Sequence, residues 1–271
     1  MNSPKQIAAN YLEASLVKAN LPYGKMLLLS LLAGIFVAFA AIGANTAMCT
    51  VENASLAKLV AACVFPGGLT MVLMAGSELF TGNCLFIIPL LQRRLSPGRL
   101  LRVWGLVYLG NLLGSLLIVA LAAGSRQWDL LDGAVALTTI KVAAGKMGYS
   151  LGRAFLLGVG CNFLVCVAIW VSMAATSVGG KLAGLFFPIL LFVVSGFEHS
   201  VANMYYIPAG VLAAARPEWA ELALEAGLEL SSLTWSGFFL GNLLPVTLGN
   251  IVGGCGLGLA YWYCYLKNTA N

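Results

Sequence analysis

Apolar residues run along this chain in blocks. Six stretches of about 20 residues or more fall at 26–48, 59–91, 101–123, 153–175, 183–214 and 235–266, divided by short polar segments. A helix needs about 20 apolar residues to cross the hydrocarbon core, so the pattern predicts an all-α membrane protein with six spans. The second and fifth stretches each exceed thirty residues. Near the middle of each, glycine and polar residues intervene, GSELFTGN at 76–83 and GFEHSVAN at 196–203. That interruption predicts broken helices, because irregular backbone at membrane depth is tolerated only where it is buried in protein or lines a cavity.

The charges add an orientation. If the N-terminus starts inside, the inner segments carry Lys5, Lys18, Lys25, Arg93, Arg94, Arg99, Arg102, Lys181 and Lys267 against Glu13 alone. The outer segments carry Glu52, Asp129, Asp132, Glu218, Glu221, Glu225 and Glu229. Lysine and arginine accumulate on the cytoplasmic side, so both termini are expected there, in the inner membrane of the cell. The net charge of +5 is then a topology signal and not an affinity for nucleic acid. Residues 1–25 are polar and mildly amphipathic, with no apolar core before Met26, which predicts a cytoplasmic helix rather than a cleavable signal peptide. A channel domain over 26–266 and a cytoplasmic tail over 267–271 complete the expected organisation.

Composition agrees with the lipid reading and removes several chemistries. Hydrophobic residues make up 60% of the 271 positions, above the roughly 45–50% of soluble domains. Seven cysteines, Cys49, Cys63, Cys84, Cys161, Cys166, Cys255 and Cys264, form no C-x-x-C pair and read as small buried hydrophobes. A single histidine, His199, cannot build a multi-histidine metal site or a bis-histidine haem site. Neither a metal nor another cofactor is expected, and a membrane enzyme is disfavoured against a transporter.

The two interruptions echo one another. Gly76-Ser-Glu78-Leu-Phe-Thr81-Gly-Asn83 matches Gly196-Phe-Glu198-His199-Ser-Val-Ala-Asn203 at glycine, glutamate and asparagine, and GNLLG from Gly110 resembles GNIVG from Gly249. With three spans per half, the halves enter the membrane in opposite senses, the footprint of an inverted repeat. His199 then lies on a pathway at the midplane, where a charge left in lipid would cost about 2.5–3.5 kcal/mol. Glu78 and Glu198 are expected to brace the breaks by accepting backbone N–H groups left without partners. The amides of Asn83, Asn111, Asn203 and Asn250 can serve the same end.

ELFTGN, GFEHSVANMYYIP, CNFLVCVAIW from Cys161 and LLPVTLGNIVGG from Leu243 resemble the formate/nitrite transporter family, which includes hydrosulfide channels. The resemblance extends over all six stretches and implies a homopentamer of six-helix protomers with an aquaporin-like fold, each protomer enclosing its own pore. It also implies residue roles. Thr81 matches the threonine of the broken second helix and His199 the central pore histidine. Lys146, sixteen positions before Asn162, matches the lysine between spans three and four, in a run expected to dip inward as a loop. Lys25 resembles the lysine at the inner mouth, and Asn162 joins the substrate pathway. Phe65, Leu69, Leu79, Phe80 and Phe192 resemble the apolar constriction. The implied cargo is a small monovalent anion, formate first with hydrosulfide or nitrite as alternatives, crossing as the neutral acid or together with a proton.

Overall fold

The computed structural model describes residues 1–267; the rest of the tail expected over 267–271 lies outside the described residues. The six apolar stretches resolve into all-helical architecture. The helices are α1 (Pro4–Ala19), α2 (Tyr23–Met48), α3 (Ala54–Gly76), α4 (Phe80–Leu91), α5 (Pro97–Gly124), α6 (Ala134–Met147), α7 (Leu151–Ser172), α8 (Val178–Val194), α9 (Ser200–Ala214), α10 (Pro217–Glu225) and α11 (Gly237–Tyr265). Among the described residues α2, α3, α5, α7 and α11 are long and apolar enough to cross a membrane, and α4 and α8 are shorter apolar helices. Leu101, Leu117, Leu156, Leu240 and Tyr263 stand exposed on their outer faces. So much uncovered apolar surface suits lipid as the surrounding solvent. This is a multi-pass membrane protein.

Local chemistry starts and stops these helices. Ser3 caps α1 through a capping box with Gln6, Ser96 caps α5, and Ser150 caps α7. Between α3 and α4, Gly76 at φ +82° turns the chain and Ser77 is extended. Between α8 and α9, Gly196 at φ +73° does the same before extended His199. A left-handed φ suits glycine because there is no Cβ to clash.

The strongest helix contacts also come in a matched pair, α2 on α5 and α7 on α11. Both depend on glycines with no room for a side chain. A Cβ on Gly114 would lie 2.0 Å from the Leu31 carbonyl oxygen, and one on Gly253 would lie 2.1 Å from that of Val159. Small residues at such crossings let backbones approach closely where lipid supplies no hydrophobic drive.

Two expectations are corrected. Lys146 is not in a loop: it occupies the last turn of α6, because the run VAAGKM contains good helix formers and the helix ends only at Gly148. The cysteines are not uniformly buried either. Cys84, Cys161 and Cys166 are buried, whereas Cys63 and Cys264 are exposed on apolar helices.

Candidate functional site

At each break the backbone groups freed by the missing helical turn find side-chain partners. The Phe80 N–H donates to Asn111 Oδ1 at 2.9 Å, and the Asn111 amide donates to the carbonyls of Ser30 (2.7 Å) and Glu78 (2.9 Å). At the second break the Ser200 N–H donates to Asn250 Oδ1 at 2.9 Å, and the Asn250 amide donates to the carbonyls of Gly158 (2.8 Å) and Glu198 (2.9 Å). The Glu78 and Glu198 N–H groups reach the Leu29 and Leu157 carbonyls, each at 3.2 Å. Asparagine suits this work because one amide both accepts from an orphan N–H and donates to orphan carbonyls.

The carboxylates therefore take a different part from the one expected. Glu78 accepts from the Asn83 amide (3.1 Å) and pairs with Lys18 Nζ (3.0 Å). Glu198 accepts from the Asn203 amide (2.7 Å) and pairs with Lys146 Nζ (2.8 Å). Neither carboxylate accepts a backbone N–H at its break, because Asn111 and Asn250 already hold those donors. The Asn203 amide also donates to Asn242 Oδ1 (2.7 Å), whose own amide holds the Lys146 carbonyl (3.0 Å). This fixes the end of α6 against α11. Reasoning from the chain alone did not pair Lys18 with Glu78 or Lys146 with Glu198, and missed Asn242. The signal was present in the repeated Glu-x₄-Asn spacing, which places two carboxylates alike and asks for two cations.

Between the breaks Thr81 and His199 meet, Oγ1 to Nε2 at 3.0 Å, both buried. His199 caps α9, its Nδ1 accepting the Ala202 N–H at 3.0 Å. A ring nitrogen that accepts a backbone N–H carries no proton, so the neutral ring has its hydrogen on Nε2. Thr81 Oγ1 then accepts from Nε2–H, which leaves its own hydroxyl hydrogen free to donate. The free donor of the pair is therefore the Thr81 hydroxyl hydrogen.

Two cavities lie near the pair, one lined by His199 and the other by Leu79 and Gly82, to either side of Thr81 in the chain. One, about 180 Å³ and bordered by α1, is lined by Tyr11, Lys18, Leu69, Leu79 and Lys181. The other, about 410 Å³ and bordered by α6, is lined by Lys146, Phe65, Phe192, Tyr206 and His199. Phe65 and Phe192 meet edge to face at 5.7 Å, and Phe192 stacks over His199 at 6.0 Å. The apolar residues expected at the constriction thus divide, Leu69 and Leu79 to the first cavity, Phe65 and Phe192 to the second.

Three expected site residues lie elsewhere. Phe80 packs edge-on against Trp104 and Tyr108 of α5 and lines neither cavity, since the helical turn after the break carries its side chain away from Thr81. Asn162 is buried with its amide donating to the carbonyls of Thr81 (3.1 Å) and Asn250 (2.6 Å), and it lines neither cavity. Lys25 is exposed in the first turn of α2 and lines neither cavity, whereas Lys18 of α1 lines the smaller one.

The sequence profile of the formate/nitrite transporter family matches residues 5–263. The chain is 41% identical to a "Probable formate transporter" of Methanothermobacter thermautotrophicus, over 93% of this chain and 92% of that one. It is 36% identical to the formate channel FocA of Escherichia coli K12, over 95% and 92% respectively. Among solved structures, a pentameric formate channel with formate bound superposes with a TM-score of 0.81 at 33% identity, covering 90% of this chain and 98% of that chain.

Proposed function

The chain belongs to the formate/nitrite transporter family, a family of channels and transporters rather than enzymes, and from that premise we propose that it forms a pore for small monovalent anions, formate first. Hydrosulfide and nitrite are the alternatives, being conjugate bases of weak acids to which the same donors apply. The observation that carries the reading is the buried Thr81–His199 contact, with His199 on the cavity walled by Phe65 and Phe192 and the neighbours of Thr81, Leu79 and Gly82, on the cavity walled by Leu69.

The reading extends to architecture. α3 with α4, and α8 with α9, each act as one interrupted span, giving six spans over 26–266 in two inverted three-helix repeats. The paired break contacts and the paired glycine crossings support it. The positive-inside charges put both termini, with α1, in the cytoplasm, so the α1 cavity is the inner vestibule and the α6 cavity the outer one. A homopentamer follows the solved channel that the chain resembles, with a pore in each protomer.

An ion loses several kcal/mol of hydration on entering an apolar passage. A carboxylate of pKa near 4 can instead be neutralised at pH 7 for about 4 kcal/mol, a comparable sum. Lys146 and Lys18 draw the anion into the vestibules. A proton taken up from the water of the entry vestibule neutralises it, and at the centre His199 Nε2–H and the Thr81 hydroxyl donate hydrogen bonds to it while water is excluded by the phenylalanines, so both side chains end in the state in which they began. The anion and proton leave together on the other side.

Proteoliposome flux of formate, nitrite and hydrosulfide at several pH values, for wild type and His199→Ala, tests this. One preferred anion whose flux falls in the variant, with a changed pH profile, is the expected result. Equal flux and an unchanged profile in the variant would remove His199 from the path, and no flux of any anion in the wild type would overturn the pore itself.

A further inference from the structure

The α6 cavity holds more positive charge than the pore reading uses. Its wall includes Lys58 and Lys141 as well as Lys146, against Glu52 and Glu198. Lys146 is committed to Glu198. Among the described residues neither Lys58 nor Lys141 has an ion pair with a carboxylate.

Helical spacing aims both at the same space. On α3, Ala54, Lys58, Ala61 and Phe65 recur at three- and four-residue intervals and all line the cavity. Lys58 therefore stands seven residues from the Phe65 ring, about 10 Å along the helix, with its ammonium beside Gly196, where a Cβ would lie 3.2 Å from Nζ. On α6, Thr138, Lys141 and Gly145 form the facing stripe, with Tyr149 just beyond the end of the helix. Two uncommitted ammonium groups thus face a space of about 410 Å³, above an aromatic constriction and with Glu52 as the one other carboxylate in the wall besides Glu198.

We propose that this cavity is a binding site for a small dicarboxylate dianion, held by Lys58 and Lys141, and that the dianion stops there. The desolvation cost of an ion rises with the square of its charge, so passage of a dianion between Phe65 and Phe192 costs far more than that of a monovalent anion. Its neutral route needs two protons where a monocarboxylate needs one. A dianion that binds and cannot pass occludes the mouth on the α6 side. The binding stands on the cavity alone; the occlusion rests on the pore reading.

Oxalate serves as the probe. Calorimetric titration of the detergent-solubilised full chain should show saturable oxalate binding. Each exposed lysine–carboxylate pair contributes up to about fivefold, so Lys58→Gln with Lys141→Gln should weaken binding by several-fold and at most about 25-fold, while Lys58→Arg with Lys141→Arg retains it. In vesicles with the α6 face outward, external oxalate should slow formate flux and not accumulate inside. Absence of saturable binding, or equal binding by the glutamine double variant, overturns the site. Oxalate accumulation, or bound oxalate without slowing of formate flux, overturns the occlusion. If the wild type carries no formate yet binds oxalate through these lysines, the pore reading fails and the site stands.

Discussion

Lys146→Met isolates the energetic role of one ammonium. Its Nζ lies 2.8 Å from Glu198 Oε1, and the two side chains are 15% and 3% exposed. At an effective dielectric of about 20, unit charges at that separation attract by about 6 kcal/mol, most of which offsets the loss of hydration. Without Lys146 the Glu198 carboxylate keeps the Asn203 amide and little else, and stranding a buried charge in this way costs about 3–5 kcal/mol. Lys18 is the internal control. Its 3.0 Å pair with Glu78 has similar geometry and Glu78 is equally buried, but Lys18 is 40% exposed. Water entering from the α1 cavity can therefore replace it, and its loss should fall toward the ~1 kcal/mol of screened pairs. The assay is thermal unfolding of the solubilised protein. At about 2–4 °C per kcal/mol for a chain of this size, Lys146→Met should lower the midpoint by about 10 °C and Lys18→Met by a few degrees. Adding Glu198→Gln to Lys146→Met removes the stranded charge and should recover more than half the loss. Equal losses for the two lysines, or no recovery in the double variant, would refute the account.

Thr81→Val leaves His199 Nε2–H without its acceptor, a deficit of about 1–3 kcal/mol, and should cut anion flux about tenfold or more, while Thr81→Ser keeps it; initial rates in proteoliposomes distinguish the two. Gly114→Ala and Gly253→Ala place a methyl about 2 Å from a facing carbonyl oxygen and should each destabilise the bundle by about 1–3 kcal/mol, read as a lower melting midpoint and a lower yield of folded protein. At the surface, Arg94 beside Glu13 holds that carboxyl below its ordinary range. The tie between α1 and the segment after α4 is then fully present above the ordinary carboxylate pKa of about 4.3 and is lost as pH falls through the lowered value. Hydrogen exchange in α1 should accelerate only below that range, and Arg94→Gln should remove the dependence.

Much of this architecture is legible because lipid leaves the chain few choices. Length and hydropathy alone locate the apolar helices, and Gly76 and Gly196 mark both turns, since a left-handed φ within an apolar run asks for glycine. The resemblance carried by GFEHSVANMYYIP and its companions leads to the family that the comparisons establish. Phe80, Asn162 and Lys25 show where such reading stops. Each occupies a suggestive position in the sequence, yet the direction of the Phe80 side chain depends on φ and ψ at the two or three residues of the break before it, and the contacts of Asn162 and Lys25 on which helices pack beside theirs, neither of which a linear motif contains.

The sequence by itself determined the solvent, the helical content, the two breaks and their likeness to one another, because burial of backbone polar groups in hydrocarbon admits almost nothing else. Tertiary structure alone decided that Asn111 and Asn250 hold the freed backbone, that Lys18 and Lys146 answer Glu78 and Glu198, and that Thr81 faces His199 across 118 positions of chain. Those pairings depend on how α1 and α6 fold against helices distant in the chain, which no local pattern encodes.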